Sequence, residues 1–197
     1  MTHFKSRLAG AVLIIAGLLI GGCLTVPLGD PEKSKVDEAY IGFWINSRPG
    51  GDDGKLLVVQ AFDTRTFLIT HYNFKQTASG VEQSGGKMTF KAWLTPVEAQ
   101  RFITLERMDA GRIMRVEDKP YVVAKVEMET TTITCTPIDP KFVDDNKVTT
   151  AEMMMAMVSK HLDDPKMYGE KEVYEKLSAD RLNEAKDILS AFGESYD

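Results

Sequence analysis

Few side chains in this sequence are suited to chemistry. There are two cysteines, Cys23 and Cys135, and three histidines. A nucleophilic thiol needs a neighbouring base and some exposure. Cys135 lies in Thr-Thr-Thr-Ile-Thr-Cys-Thr-Pro-Ile, where Ile133 and Cys135 alternate with Thr132, Thr134 and Thr136. That alternation predicts a thiol on the inward face of a strand, serving as a small buried apolar side chain. His161, Asp163 and Asp164 have the residue types of a metal site, but one histidine and two adjacent carboxylates before Pro165 read as a helix end and turn. His71 falls within a strand, and the sequence identifies no partner for it. Gly-Gly-Asp-Asp-Gly-Lys at 50–55 lacks the Asp-x-Asp-x-Asp-Gly spacing of a calcium loop and reads as a turn. The chain has no Gly-x-Ser-x-Gly, no His-Glu-x-x-His and no phosphate loop. No catalytic residue, metal or cofactor is therefore expected.

Cys23 has a clearer context. Lys5 and Arg7 precede an uncharged apolar run from Leu8 to Ile20. Thirteen residues are too few to cross a bilayer core, which needs roughly 20, but suit the central region of a secretory signal. Ile20-Gly21-Gly22-Cys23 then resembles the lipobox of bacterial lipoproteins. The resemblance implies a diacylglycerol on the Cys23 thiol, cleavage before Cys23 and acylation of the new amino terminus. Residue 24 is Leu rather than Asp, and in enterobacterial lipoproteins that implies the outer membrane, facing the periplasm.

Cleavage at that point would leave 175 residues, in which 22 basic face 29 acidic side chains, a net charge of −7. This length suits one domain. The acidic balance, with no basic block interleaved with aromatics, argues against a nucleic acid partner.

Residues 24–39 carry Pro27, Gly29, Asp30 and Pro31 and read as a polar tether. From Tyr40 to Ile138 seven segments alternate apolar and polar residues. In one, Met88, Phe90, Ala92 and Leu94 alternate with Thr89, Lys91 and Trp93; in another, Val122, Ala124, Val126 and Met128 alternate with Val123, Lys125 and Glu127. One dry and one wet face predict an antiparallel sheet. The intervals 48–54, 63–65, 78–86 and 109–111 read as turns, and 112–119 as a possible extra strand. Beyond Pro137 the period becomes helical. A capping box, Thr149 with Glu152, predicts a helix burying Met153, Met154, Met157, Val158, His161 and Leu162, with Met155 exposed. A short helix is predicted over 169–177 from Val173, Tyr174 and Leu177. A last helix starts at Ser178 and ends at Gly193.

The expected fold class is thus mainly β with C-terminal helices (α+β), a curled antiparallel meander or incomplete barrel. The expected units are a signal peptide (1–22), a lipidated Cys23 with its tether (23–39), a β domain (40–138) and a helical segment packed on it (139–197). Gly42-x-Trp44 on the first strand resembles the Gly-x-Trp of lipocalins, which implies a lipocalin-like barrel with the tryptophan at its base and a small-ligand pocket. The Thr-Asp loop of that family is missing, and the seventh strand carries no arginine to stack on the tryptophan. Trp44 and Tyr72 are the candidate ligand contacts.

The expected function is a non-enzymatic, lipid-anchored envelope protein whose partners are the membrane and an apolar small molecule or another envelope protein. The alternatives are an assembly lipoprotein with a filled core and an envelope hydrolase of unrecognised type. Changing Cys23→Ser should leave an unprocessed precursor. An intact mass showing a normally cleaved, soluble form of that variant would sink the lipobox reading.

Overall fold

The computed structural model describes residues 24–47, 53–108 and 121–195; Cys23 and the 112–119 segment lie outside them. Eight antiparallel strands close into a barrel in chain order. They are β1 (Gly42–Ser47), β2 (Asp53–Ala61), β3 (Phe67–Thr77), β4 (Gly80–Val97), β5 (Gln100–Met108), β6 (Tyr121–Met128), β7 (Thr132–Pro137) and β8 (Glu172–Lys176). The protein is mainly β with C-terminal helices, in a lipocalin-like closed barrel.

The eighth strand corrects the helix expected over 169–177. β8 pairs with β7 from Thr132↔Glu175 to Cys135↔Glu172, and with β1 at Trp44↔Lys176 and Ile45↔Glu175. Val173 is exposed while Tyr174 is buried, the two-residue period of a strand. So short a segment fits either period, and the two free strand edges decide it. The break expected over 78–86 is also mostly strand. The β3–β4 hairpin reverses at residues 78–79, and a register shift opposite Tyr72 and Phe74 absorbs residues 84–86. Asp53 and Gly54, expected in a turn, begin β2.

Alternation sends Trp44, Val59, Phe67, Ile69, Ala92 and Ile103 into one buried interior cluster. The outer face is covered in two places. Helix α3 (Leu182–Ala191) lays Ala185, Ile188 and Leu189 on Phe43, Ile45, Leu56, Val58, Tyr72 and Phe74. Helices α1 (Pro140–Asp145) and α2 (Ala151–Lys160) bring Val143, Met154, Met157 and Val158 against Val97, Phe102 and Val123. The cap of α2 is Thr150, one residue beyond the expected Thr149; its hydroxyl accepts from the Met153 amide at 3.2 Å. Met153 is exposed and Met155 packs half-buried, the reverse of the expectation.

The expected tether is docked. Leu24, Val26 and Leu28 are buried in the cluster that holds Phe102 and Val123. Leu24 exchanges backbone hydrogen bonds with Tyr121 at 2.5 and 3.1 Å. The Leu28 carbonyl accepts from Trp93 Nε1 at 3.0 Å, Thr95 Oγ1 at 3.2 Å and Thr104 Oγ1 at 2.8 Å. Gly29 follows with φ +75°, and a Cβ there would sit 2.2 Å from Thr95 Oγ1, so the close approach requires glycine. This strap explains why Trp93, on the face read as wet, is only 2% exposed. Burying each of the strap's three apolar side chains contributes about 1.5–3 kcal/mol. The chain then turns under the barrel, where Ser34 Oγ accepts from the Leu94 amide at 3.1 Å and Asp37 pairs with Arg101 at 3.0 Å.

Helix α3 is held to the sheet by its apolar face, since so short a helix is marginal alone. Changing Leu189→Ala should lower stability by about 2–4 kcal/mol, with sheet and helix signals lost in one transition by circular dichroism. A melt unchanged by that substitution would mean that the interface contributes nothing.

Candidate functional site

The two ends of the barrel differ. At the end where β2 turns into β3 and β4 into β5, aromatic side chains fill the interior. Trp44 Nε1 donates to the Tyr40 carbonyl at 2.8 Å, and the Tyr40 and Phe67 rings lie 6.1 Å apart. Lys176 Nζ sits 5.0 Å above the Trp44 ring and donates to the Ala39 carbonyl at 2.9 Å. A cation therefore does stack on this tryptophan, but as lysine and from β8, the segment expected to be helical. Gly42, with φ +134°, permits that approach; a Cβ would lie 3.1 Å from Lys176 Cε. Trp44 is a fully buried member of this plug.

Polar groups gather toward the other end, where β1 leads to β2 and β7 to β8. Register places Lys176, Trp44, Leu57, His71 and Met88 in one cross-strand row, and Asn46, Lys55 and Asn73 in the next. Lys55 and Glu172 form an ion pair, with their side chains 25% and 16% exposed. The Tyr174 hydroxyl donates to the other Glu172 oxygen at 2.5 Å. Asn46 Nδ2 donates to the Val173 carbonyl at 2.7 Å. Cys135 pairs across the strand with Glu172.

His71 stands apart from these pairings. It is 1% exposed, and among the described residues neither ring nitrogen has a hydrogen-bond partner. Burial, reinforced by the nearby Lys55 charge, drives its pKa down to about 4. Burial, then the Glu172 charge, pushes the Cys135 thiol up to about 12. Desolvation, with the Glu172 charge and hydrogen bond, holds the Tyr174 phenol well above its ordinary value. At neutral pH the cluster therefore offers a neutral imidazole, a protonated thiol, a neutral phenol and one internally balanced ion pair. Such groups are equipped for hydrogen bonding, and Cys135 lacks the thiolate a nucleophile needs.

Cys135 occupies the inward strand face expected of it, half-buried beside the interior cluster. Tyr72 does not line the interior. It faces outward under α3, donates to Glu194 at 2.5 Å and packs edge-on against Phe192 at 5.0 Å. His161 Nδ1 lies 3.7 Å from Asp164, with its ring edge-on to Phe142. Cys23 lies outside the described residues. The sequence marks none of Lys55, Glu172 and Tyr174 as a site residue: Lys55 ends a turn motif and Tyr174 falls on an expected helix face. Lys55 shares its strand parity with Leu57 and Val59, and His71 shares its own with Phe67 and Ile69. A polar residue on an apolar parity was the available signal.

Among the described residues, no helix is long and apolar enough to cross a membrane, and no three His, Cys, Asp or Glu side chains are grouped to hold a metal ion. No family model matches this chain, and no curated protein or solved structure matches it.

The buried imidazole has a thermodynamic signature. Its folded pKa lies below the unfolded value near 6.5, so the unfolded chain binds the extra proton between those values. The contribution is intact above pH 6.5 and is lost as pH falls toward about 4, amounting to about 3 kcal/mol. Replacing His71→Phe should remove that part of the acid destabilisation. Urea midpoints that fall in parallel for both proteins between pH 7 and 4 would contradict a buried, neutral His71.

Proposed function

We propose that this protein is a lipid-anchored envelope protein whose barrel binds an amphiphile, apolar along its tail and uncharged at its head. The observation that carries this reading is His71, a fully buried imidazole between the aromatic plug and the Lys55–Glu172 pair, with both nitrogens unpartnered among the described residues. Leaving such a group unpaired costs roughly 1–3 kcal/mol. A ligand hydroxyl or ester meeting the imidazole would offset that cost. An uncharged head suits the site because Lys55 and Glu172 already balance each other; an added charge would be buried without a counter-ion. The anchor at Cys23 rests on the lipobox, and with it the placement in a bacterial envelope.

A second reading has its own support. Trp44, Phe67, Ala92, Ile103 and Ala124 are all buried in the interior cluster, as in a filled core, which suits an assembly lipoprotein. Binding separates the two. Monooleoylglycerol should bind the detergent-solubilised protein and raise its melting temperature, and oleate, which brings a carboxylate, should bind more weakly. His71→Phe should reduce monooleoylglycerol binding about tenfold, the loss of one hydrogen bond to a buried partner. No binding of either lipid by calorimetry, and no lipid carried through native mass spectrometry, would favour the filled-core reading.

A further inference from the structure

The docked strap fixes where the anchor leaves the barrel. Had residues 24–39 been a free tether, they would have let the domain stand up to roughly 50 Å from the bilayer in any orientation. Instead the chain is paired to the sheet from its first described residue. Leu24 bridges to Tyr121, the first residue of β6, and is 3% exposed. Leu28 is held by three buried donors on β4 and β5. Cys23 is one residue away, about 3.8 Å between Cα atoms. A lipid attached at Cys23 would therefore start one residue from the paired Leu24, near the first residue of β6.

Tyr121 lies at the end where β5 leads to β6. In an up-and-down barrel this is also the end where β1 leads to β2, β3 to β4 and β7 to β8. Lys55 is the third residue of β2 and Glu172 the first of β8, so the polar cluster lies toward the same end. The aromatic plug of Tyr40, Trp44 and Phe67 lies toward the opposite one.

Building on the reading of Cys23 as the lipid anchor, we infer that the strap seats this end of the barrel on the membrane, so that the interior end carrying Lys55 and Glu172 faces bilayer lipid. The partner of this surface is the lipid head-group layer. The plugged end, with the β2–β3 turn at its tip, points away from the membrane.

The test uses the intact lipoprotein in phosphatidylcholine vesicles containing a nitroxide head-group lipid. A fluorophore is placed by Met108→Cys at the inferred membrane end or by Phe62→Cys in the β2–β3 turn, in a Cys135→Ala background. Both native side chains are exposed, at 39% and 49%. Quenching should be several-fold stronger at residue 108 than at residue 62. Inserting a Gly-Ser segment of about 15 residues between Cys23 and Leu24, with a span of roughly 20 Å, should erase the difference. Equal quenching at the two sites without the insertion would overturn the orientation. The mass of the N-terminal peptide from the same sample separates the two ideas. Acyl chains present with equal quenching defeat only the orientation, whereas their absence defeats the anchor and the orientation together.

Discussion

A sheet of seven strands leaves two rows of unpaired backbone groups, one on β1 and one on β7. Each invites pairing with another chain. β8 satisfies both, with four register pairs to β7 and two to β1. Once the circuit closes, the parity of every other strand is assigned to inside or outside. The same short strand furnishes both ends of the interior. Lys176, at its last position, covers the Trp44 ring and reaches the Ala39 carbonyl, tying closure to the aromatic plug. Glu172, at its first, receives Lys55 and the Tyr174 hydroxyl. Without β8 the plug would lose its Lys176 cover and the polar cluster its Glu172 and Tyr174.

The strong alternation of β4 and β6 made the sheet legible from residues alone, because an antiparallel strand with one dry face writes that period directly. β8 was not legible. Glu-Val-Tyr-Glu-Lys is short and highly charged, and Val173, Tyr174 and Leu177 also satisfy helical spacing. Only the two unpaired edges, a tertiary fact, select the strand. The strap is hard to see in the sequence for a different reason. Pro27, Gly29, Asp30 and Pro31 signal irregular backbone, but irregular backbone can be buried, as Leu24, Val26 and Leu28 are. Leu24, Val26 and Leu28 are spaced as a two-residue apolar stripe. Trp93, Phe102 and Val123 are apolar residues on the outer face and needed a cover. Those two signals belong together, but pairing them requires the register.

The interior site shows the same division. His71 was visible as a histidine in a strand, yet its significance depends on which face it takes and on what lies across the sheet. Its parity with Phe67 and Ile69 marks it as inward; Tyr72, one residue on, is thereby outward. A parity count could have separated these two. It could not have joined Lys55 to Glu172, which are far apart in the chain and sit on strands that meet only through β1.

Stability does not account for the polar end of the barrel. A largely buried ion pair contributes little net stability, and apolar replacements of similar volume are often neutral or stabilising. The Tyr174 hydroxyl could be dispensed with as phenylalanine, and a buried imidazole with no partner is a cost with no return within the fold. The opposite end shows that this chain can fill a barrel interior with Trp44, Phe67 and Ile69. Two kinds of interior in one barrel, apolar at the plug and hydrogen-bonding toward the end where the strap terminates, call for something outside the fold itself. An amphiphile divides its chemistry in the same way, and with the proposed anchor at Cys23 the docked strap would bring the polar end to a membrane surface.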